Sequence, residues 1–160
     1  MKNNIHLFSK SVHTRKPEVL SRIGIRGKEY MEFAALDLPI LPGLIIDSEV
    51  SAYLEDEDLK PYLKKYLSKI EAETGKIFGG SDNPMLLKIV ISPSLAIVHY
   101  PFLHNFGLTD ETIPGFIKFV GEEFGYHEIL FLIKGNLEIE AKLAELEGRE
   151  KEVLKLKEVL

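Results

Sequence analysis

Gly27 and Lys28 stand immediately before a helix-competent segment, a physically sensible place for a phosphate. A lysine and unsatisfied backbone N–H groups at a helix start both favour an anion. The spacing predicts a helix over Glu29–Leu36, directly after them, with Tyr30, Phe33 and Ala34 on one side. Glu29 works against the site, because its carboxylate repels phosphate. The competing reading is an exposed lysine paired with nearby carboxylates.

Other reactive groups fit known chemistries less well. The acidic run Glu55–Asp58 lacks the alternating spacing and the glycine of a calcium loop, and suits a helix N-terminus instead. His99 and His104 are five residues apart, which matches neither one helix face nor alternate strand positions, so they read as aromatic-lined structural groups rather than a metal pair. Ser92 and Ser94 flank Pro93 without the turn of a nucleophilic serine. The chain has no cysteine, which excludes disulfides and thiolate chemistry, and no metal site is expected.

Composition narrows the partners. The chain has 160 residues, 45% hydrophobic and 28% charged, with a formal net charge of -5. Nucleic acid and anionic membrane both require a basic face, so neither is expected. No apolar run approaches spanning length and no signal core opens the chain, which points to a cytoplasmic protein.

The elements that must position these residues centre on Leu38–Glu49. Pro39 and Pro42 hold the backbone extended, Gly43 leads into the apolar run Leu44–Ile46, and Asp47 and Ser48 can cap a helix over Ser48–Leu54. Strands are expected at Ile5–Phe8, Met85–Ser92 and Leu95–Tyr100, the last two paired. Helical spacing of Leu59, Tyr62, Leu63, Tyr66, Leu67 and Ile70 predicts a helix over Leu59–Glu73, ended by Gly75. Another helix is expected over Ile113–Phe124, with Thr109–Glu111 as its cap and Gly125 as an interruption. Tyr126–Lys134 is apolar enough for a helix or a strand. A long amphipathic helix over Asn136–Leu160, with Gly148 weakening its middle, forms a separate segment after a 1–135 domain. The fold class is α/β or α+β, a mixed sheet from the Leu44, Met85 and Leu95 regions covered by helices.

Several motifs resemble the N-terminal ATP-binding domain of the pyruvate phosphate dikinase family. They are Leu38-Pro39-x-x-Pro42-Gly43-x-x-Ile46-x-Ser48-Glu49, Thr74–Gly79, Asn83–Leu86 and Asn105–Glu111. The resemblance covers about four-fifths of the chain and implies one lobe of an ATP-grasp-type fold, with Gly27 and Lys28 on the family's phosphate-contacting glycine and lysine, and helix for Tyr126–Lys134. It also exposes departures. Ile91 stands where the family has a phosphate-binding arginine, Pro93 stands on a family glycine, and Ile97–Leu103 replaces a glycine- and methionine-rich loop. Isoleucine cannot neutralise a phosphoryl group.

Three functions follow as expectations. The first is a non-catalytic relative acting through protein–protein association, with itself as a homodimer or with another protein, through the 136–160 helix. The second is an ATP- or ADP-binding subunit or sensor of a split phosphotransferase, with Mg and the missing arginine supplied by a partner chain. The third is an apolar small-molecule pocket built around Ile91, Tyr100 and Phe102.

Overall fold

The computed structural model describes residues 4–50, 59–92 and 102–159. These residues are mixed α/β and form two compact units. The first comprises the described residues up to Gly75 together with Ser92; the second comprises Lys76–Ile91 and 102–159.

In the first unit, β1 (Ile5–Phe8) pairs antiparallel with β2 (Gly43–Ile46), with Phe8 opposite Gly43 and Ile5 opposite Ile46. The short helix α1 (Pro17–Leu20) and the longer α2 (Gly24–Ala35) lie between them in the chain. The buried cluster is Phe8, Ile23 and Met31, with Val19, Leu20, Tyr30, Ile40 and Ile45 packed around it. Phe8 stacks on Tyr30 with ring centroids 4.8 Å apart. Gly43 makes this possible, because a Cβ there would overlap the Phe8 ring. Its glycine therefore serves packing as well as the Pro-locked turn. The helix α3 (Lys60–Thr74) matches its periodicity closely and ends at Gly75, whose φ of 68° is the left-handed C-terminal conformation expected of it.

In the second unit, β3 (Leu87–Ile89) pairs antiparallel with β4 (Leu103–Phe106). Three helices follow: α4 (Ile113–Val120), α5 (Glu122–Leu146) and α6 (Glu150–Val159). Gly115 in α4 approaches the loop at Ser81 so closely that any Cβ would overlap the Ser81 carbonyl. Thr112 is fully buried; its Oγ1 accepts from the Thr109 N–H at 2.8 Å and donates to the Gly107 carbonyl at 2.9 Å. The Asn105–Glu111 motif is thus a turn that seats the start of α4.

Several expectations need correction. Among the described residues the two sheets are separate and antiparallel, so the Leu44 and Met85 regions do not share one mixed sheet. β3 is shorter than expected and pairs with β4; the Leu95–Tyr100 strand lies outside the described residues, as do Glu55–Asp58 and most of the Ser48–Leu54 helix. The break near Gly125 falls instead at Gly121, whose φ is 89°, while Gly125 lies within α5 against Ile117. The single helix over Asn136–Leu160 is the end of α5, a turn at 147–149, and α6 packed back against α5. Gly148 (φ 72°) ends the helix: the Arg149 N–H reaches the Ala144 carbonyl and the Gly148 N–H the Glu145 carbonyl, a Schellman closure. Of the helices described, none is long and apolar enough to cross a membrane.

Candidate functional site

The start of α2 collects the residues capable of polar chemistry in the first unit. The helix begins at Gly24, five residues before the start expected from the sequence, because Ile23 buries its side chain and Gly24 takes a positive φ of 69°. Gly24 faces Ser92, where an added Cβ would stand 2.5 Å from Oγ. That oxygen accepts a hydrogen bond from the Arg26 N–H at 3.3 Å. Ser92 therefore satisfies one of the helix's first-turn donors from across the unit.

Gly27 and Lys28 lie further along than a helix-start phosphate site requires. Gly27 is buried, and a Cβ on it would press on Ile23 at 2.9 Å, so its glycine allows the turn to pack on its own entry residue. Lys28 is exposed one turn inside the helix. The structure brings Gly24, Arg26 and Ser92 together and leaves Lys28 on the outer surface. Sequence reasoning missed Ser92 in this role, since 66 positions separate it from Arg26 and no local pattern links them.

Next to this turn lies an ion-pair network that the sequence did not announce. The Asp47 side chain is completely enclosed; its Oδ2 lies 3.1 Å from His6 Nε2 and 3.6 Å from Arg22 Nε. Its Oδ1 accepts from the Glu49 N–H at 3.1 Å and holds the turn after β2; most of the helix it was expected to cap lies outside the described residues. Arg22 also donates through Nη1 to Glu49 Oε2 at 2.7 Å. One carboxylate thereby ties β1, the end of β2 and the link between α1 and α2. These groups hold one another, which makes the network structural scaffolding for the α2 start.

In the second unit, Ile91 is partly exposed. His104 packs edge-on against Phe102 and Phe131, in keeping with an aromatic structural role; His99, Ser94 and Tyr100 lie outside the described residues. Phe102 lies beneath Lys88, whose Nζ is 5.1 Å from the ring centroid. An apolar groove of about 320 Å³ among the described residues of this unit is lined by Phe78, Phe106, Leu108, Leu132, Thr109 and Asn136, with Gly79 and Gly107. No group of three or more His, Asp or Glu with metal-holding geometry occurs among the described residues.

No family model matches the chain. It is 43% identical over 148 residues to the pyruvate, phosphate dikinase of Treponema pallidum, which covers 92% of this chain and 16% of that one. Over 121 residues it is 31% identical to the pyruvate, phosphate dikinase of Rickettsia bellii, covering 69% of this chain and 13% of the relative. The same-named protein of Entamoeba histolytica is 26% identical over 112 residues. The chain is therefore a dikinase relative. The similarity runs over 92% of its length, and the chain spans 16% of the length of the Treponema protein and 13% of the Rickettsia one.

Proposed function

We propose that this chain is a non-catalytic dikinase relative that acts by docking onto another polypeptide. The observation that carries the reading is the outer surface of α4 and α5, where Phe119 is 75%, Leu130 64%, Tyr126 58% and Ile133 50% exposed. Large apolar side chains left exposed on two packed helices favour burial against a partner. The isoleucine at position 91, where the family resemblance implies an arginine, supports the non-catalytic half of the reading. The reading places the docking surface on α4 and the first turns of α5 rather than on the 136–160 segment, because α6 packs back against the end of α5. A photoreactive phenylalanine placed at Leu130 tests this in intact cells. The expected result is one discrete crosslinked species from that position and none from exposed Glu18 in the first unit. Absence of any crosslink from Leu130 would contradict the reading.

A second reading retains ATP or ADP at the start of α2, with Mg supplied through a partner chain. It is favoured by the cations of Arg26 and Lys28 carried on the first turns of the same helix. It requires a positive response to nucleotide that depends on those cations.

A further inference from the structure

The groove of about 320 Å³ in the second unit is walled by Phe78, Phe106, Leu108 and Leu132. The two phenylalanine rings stack with their centroids 5.8 Å apart. Gly107, at a φ of 118°, gives the Phe78 ring its place, since a Cβ there would stand 3.0 Å from it. A slot of this size is at the small end of ligand sites and suits one or two rings. Its polar lining side chains offer acceptors. Asn136 donates to the Leu132 carbonyl at 3.1 Å and keeps its Oδ1 as an acceptor. Thr109 donates its hydroxyl to Glu111 Oε2 at 2.7 Å, so that oxygen can only accept from a ligand.

The charges beside the groove are acidic. Glu128, Leu132, Asn136 and Glu140 follow one another at intervals of four, so on that stripe of α5 a carboxylate stands one turn before and one turn after the two lining residues. Asn105 holds the first of these carboxylates. Glu111 lies one hydrogen bond from Thr109, and that bond, followed by a backbone one, keeps its carboxyl below the usual range. The lysines close in sequence are engaged elsewhere. Lys76 lies 5.2 Å from the Phe119 ring and Lys88 5.1 Å from the Phe102 ring. Lys134 falls on the opposite side of α5 from Leu132 and Asn136 and reaches Glu138 at 3.9 Å.

We infer that this groove binds a small aromatic amine, its ring in the apolar slot and its ammonium towards Asn136 Oδ1 and the surrounding carboxylates. Apolar walls supply affinity, and the acceptors and negative charge at the margin select the cation. The faces of the phenylalanine rings also favour an ammonium. A nucleotide is disfavoured, because its phosphates would meet those carboxylates. The inference does not depend on the docking reading.

Ligand-observed NMR on the full chain tests it with three probes of similar shape: phenethylamine, phenethyl alcohol and hydrocinnamate. The amine should bind about tenfold more tightly than the alcohol and the acid most weakly, with the gap narrowing in added salt. Asn136→Lys, at an exposed position, should abolish the preference for the amine, and Asn136→Asp should increase it. Leu132→Phe, which fills the slot, should weaken amine and alcohol alike; the thermal midpoint of each variant separates loss of the site from loss of the fold. Equal binding of amine and alcohol, tightest binding of the acid, or an amine preference that survives Asn136→Lys would each overturn the inference. So would the absence of amine binding at millimolar concentration.

Discussion

Asp47 concentrates more structural consequence than any polar residue in the first unit. Its enclosed carboxylate meets His6, Arg22 and the Glu49 N–H, three groups drawn from separate segments. Removing one member of a buried charged network leaves the others desolvated and unmatched. Asp47→Ala should therefore lower stability by about 3 kcal/mol in urea unfolding, and a loss below about 1 kcal/mol would show the network to be dispensable. Gly43→Ala should cost about 2 kcal/mol by forcing the Phe8 ring off Tyr30; near-UV dichroism of the stacked tyrosine reports the displacement. The sequence revealed Gly43 as a special position through its Pro-Gly setting, yet the ring that occupies its missing Cβ comes from a strand 35 positions away. Asp47 was legible as a cap and illegible as the hub of an ion-pair network, because capping is local and its partner His6 lies 41 positions away.

Helices show what local pattern can and cannot specify. The periodic run after Leu59 was read nearly to the residue, because apolar spacing and a left-handed glycine both act within one element. The C-terminal helix was misread because Gly148 was weighed as a mild helix breaker, whereas its φ of 72° supports a full Schellman stop. Gly115 is the tightest backbone approach in the second unit, and Gly115→Ala should displace α4 from the Ser81 loop, costing about 3 kcal/mol, readable as a lowered denaturant midpoint. The link between α5 and α6 should respond to acid. Hydrogen bonds from Lys157 and then Lys142 hold the Glu145 carboxyl below its usual range. A depressed folded-state value means that the stabilisation is present above the unfolded carboxylate range and is lost as pH falls through the lowered one. Amide protection of Glu150–Val159, corrected for the intrinsic pH dependence of exchange, should fall on acidification through that window before that of α4, and Lys157→Ala should remove the difference.

Across the whole molecule, relationship was more legible than architecture. The motif segments identified a dikinase relative, and 43% identity to the Treponema protein bears that out. The mixed α/β class was also legible, but the sheet was not: strand pairing depends on which edges meet in space, and β1 with β2 and β3 with β4 formed two small antiparallel sheets. At the candidate site, Gly27 and Lys28 were visible as a helix-start pair, but the helix began a turn earlier and drew in Ser92 through tertiary contact. The exposed apolar residues of α5 were hidden in a stretch whose composition fitted helix or strand, although the family resemblance implied the helix that forms. The central claim is that the chain no longer performs the nucleotide chemistry its family resemblance implies, and works through a surface instead. Thermal unfolding with and without millimolar Mg-ATP, on the wild type and on Lys28→Ala and Arg26→Ala, tests it most directly. A ligand at about 100 times its Kd contributes roughly 2.7 kcal/mol, a shift of several degrees for a chain of this size. The account predicts superimposable curves; a shift of several degrees in the wild type that either substitution abolishes would contradict it and establish a working phosphate site at the start of α2.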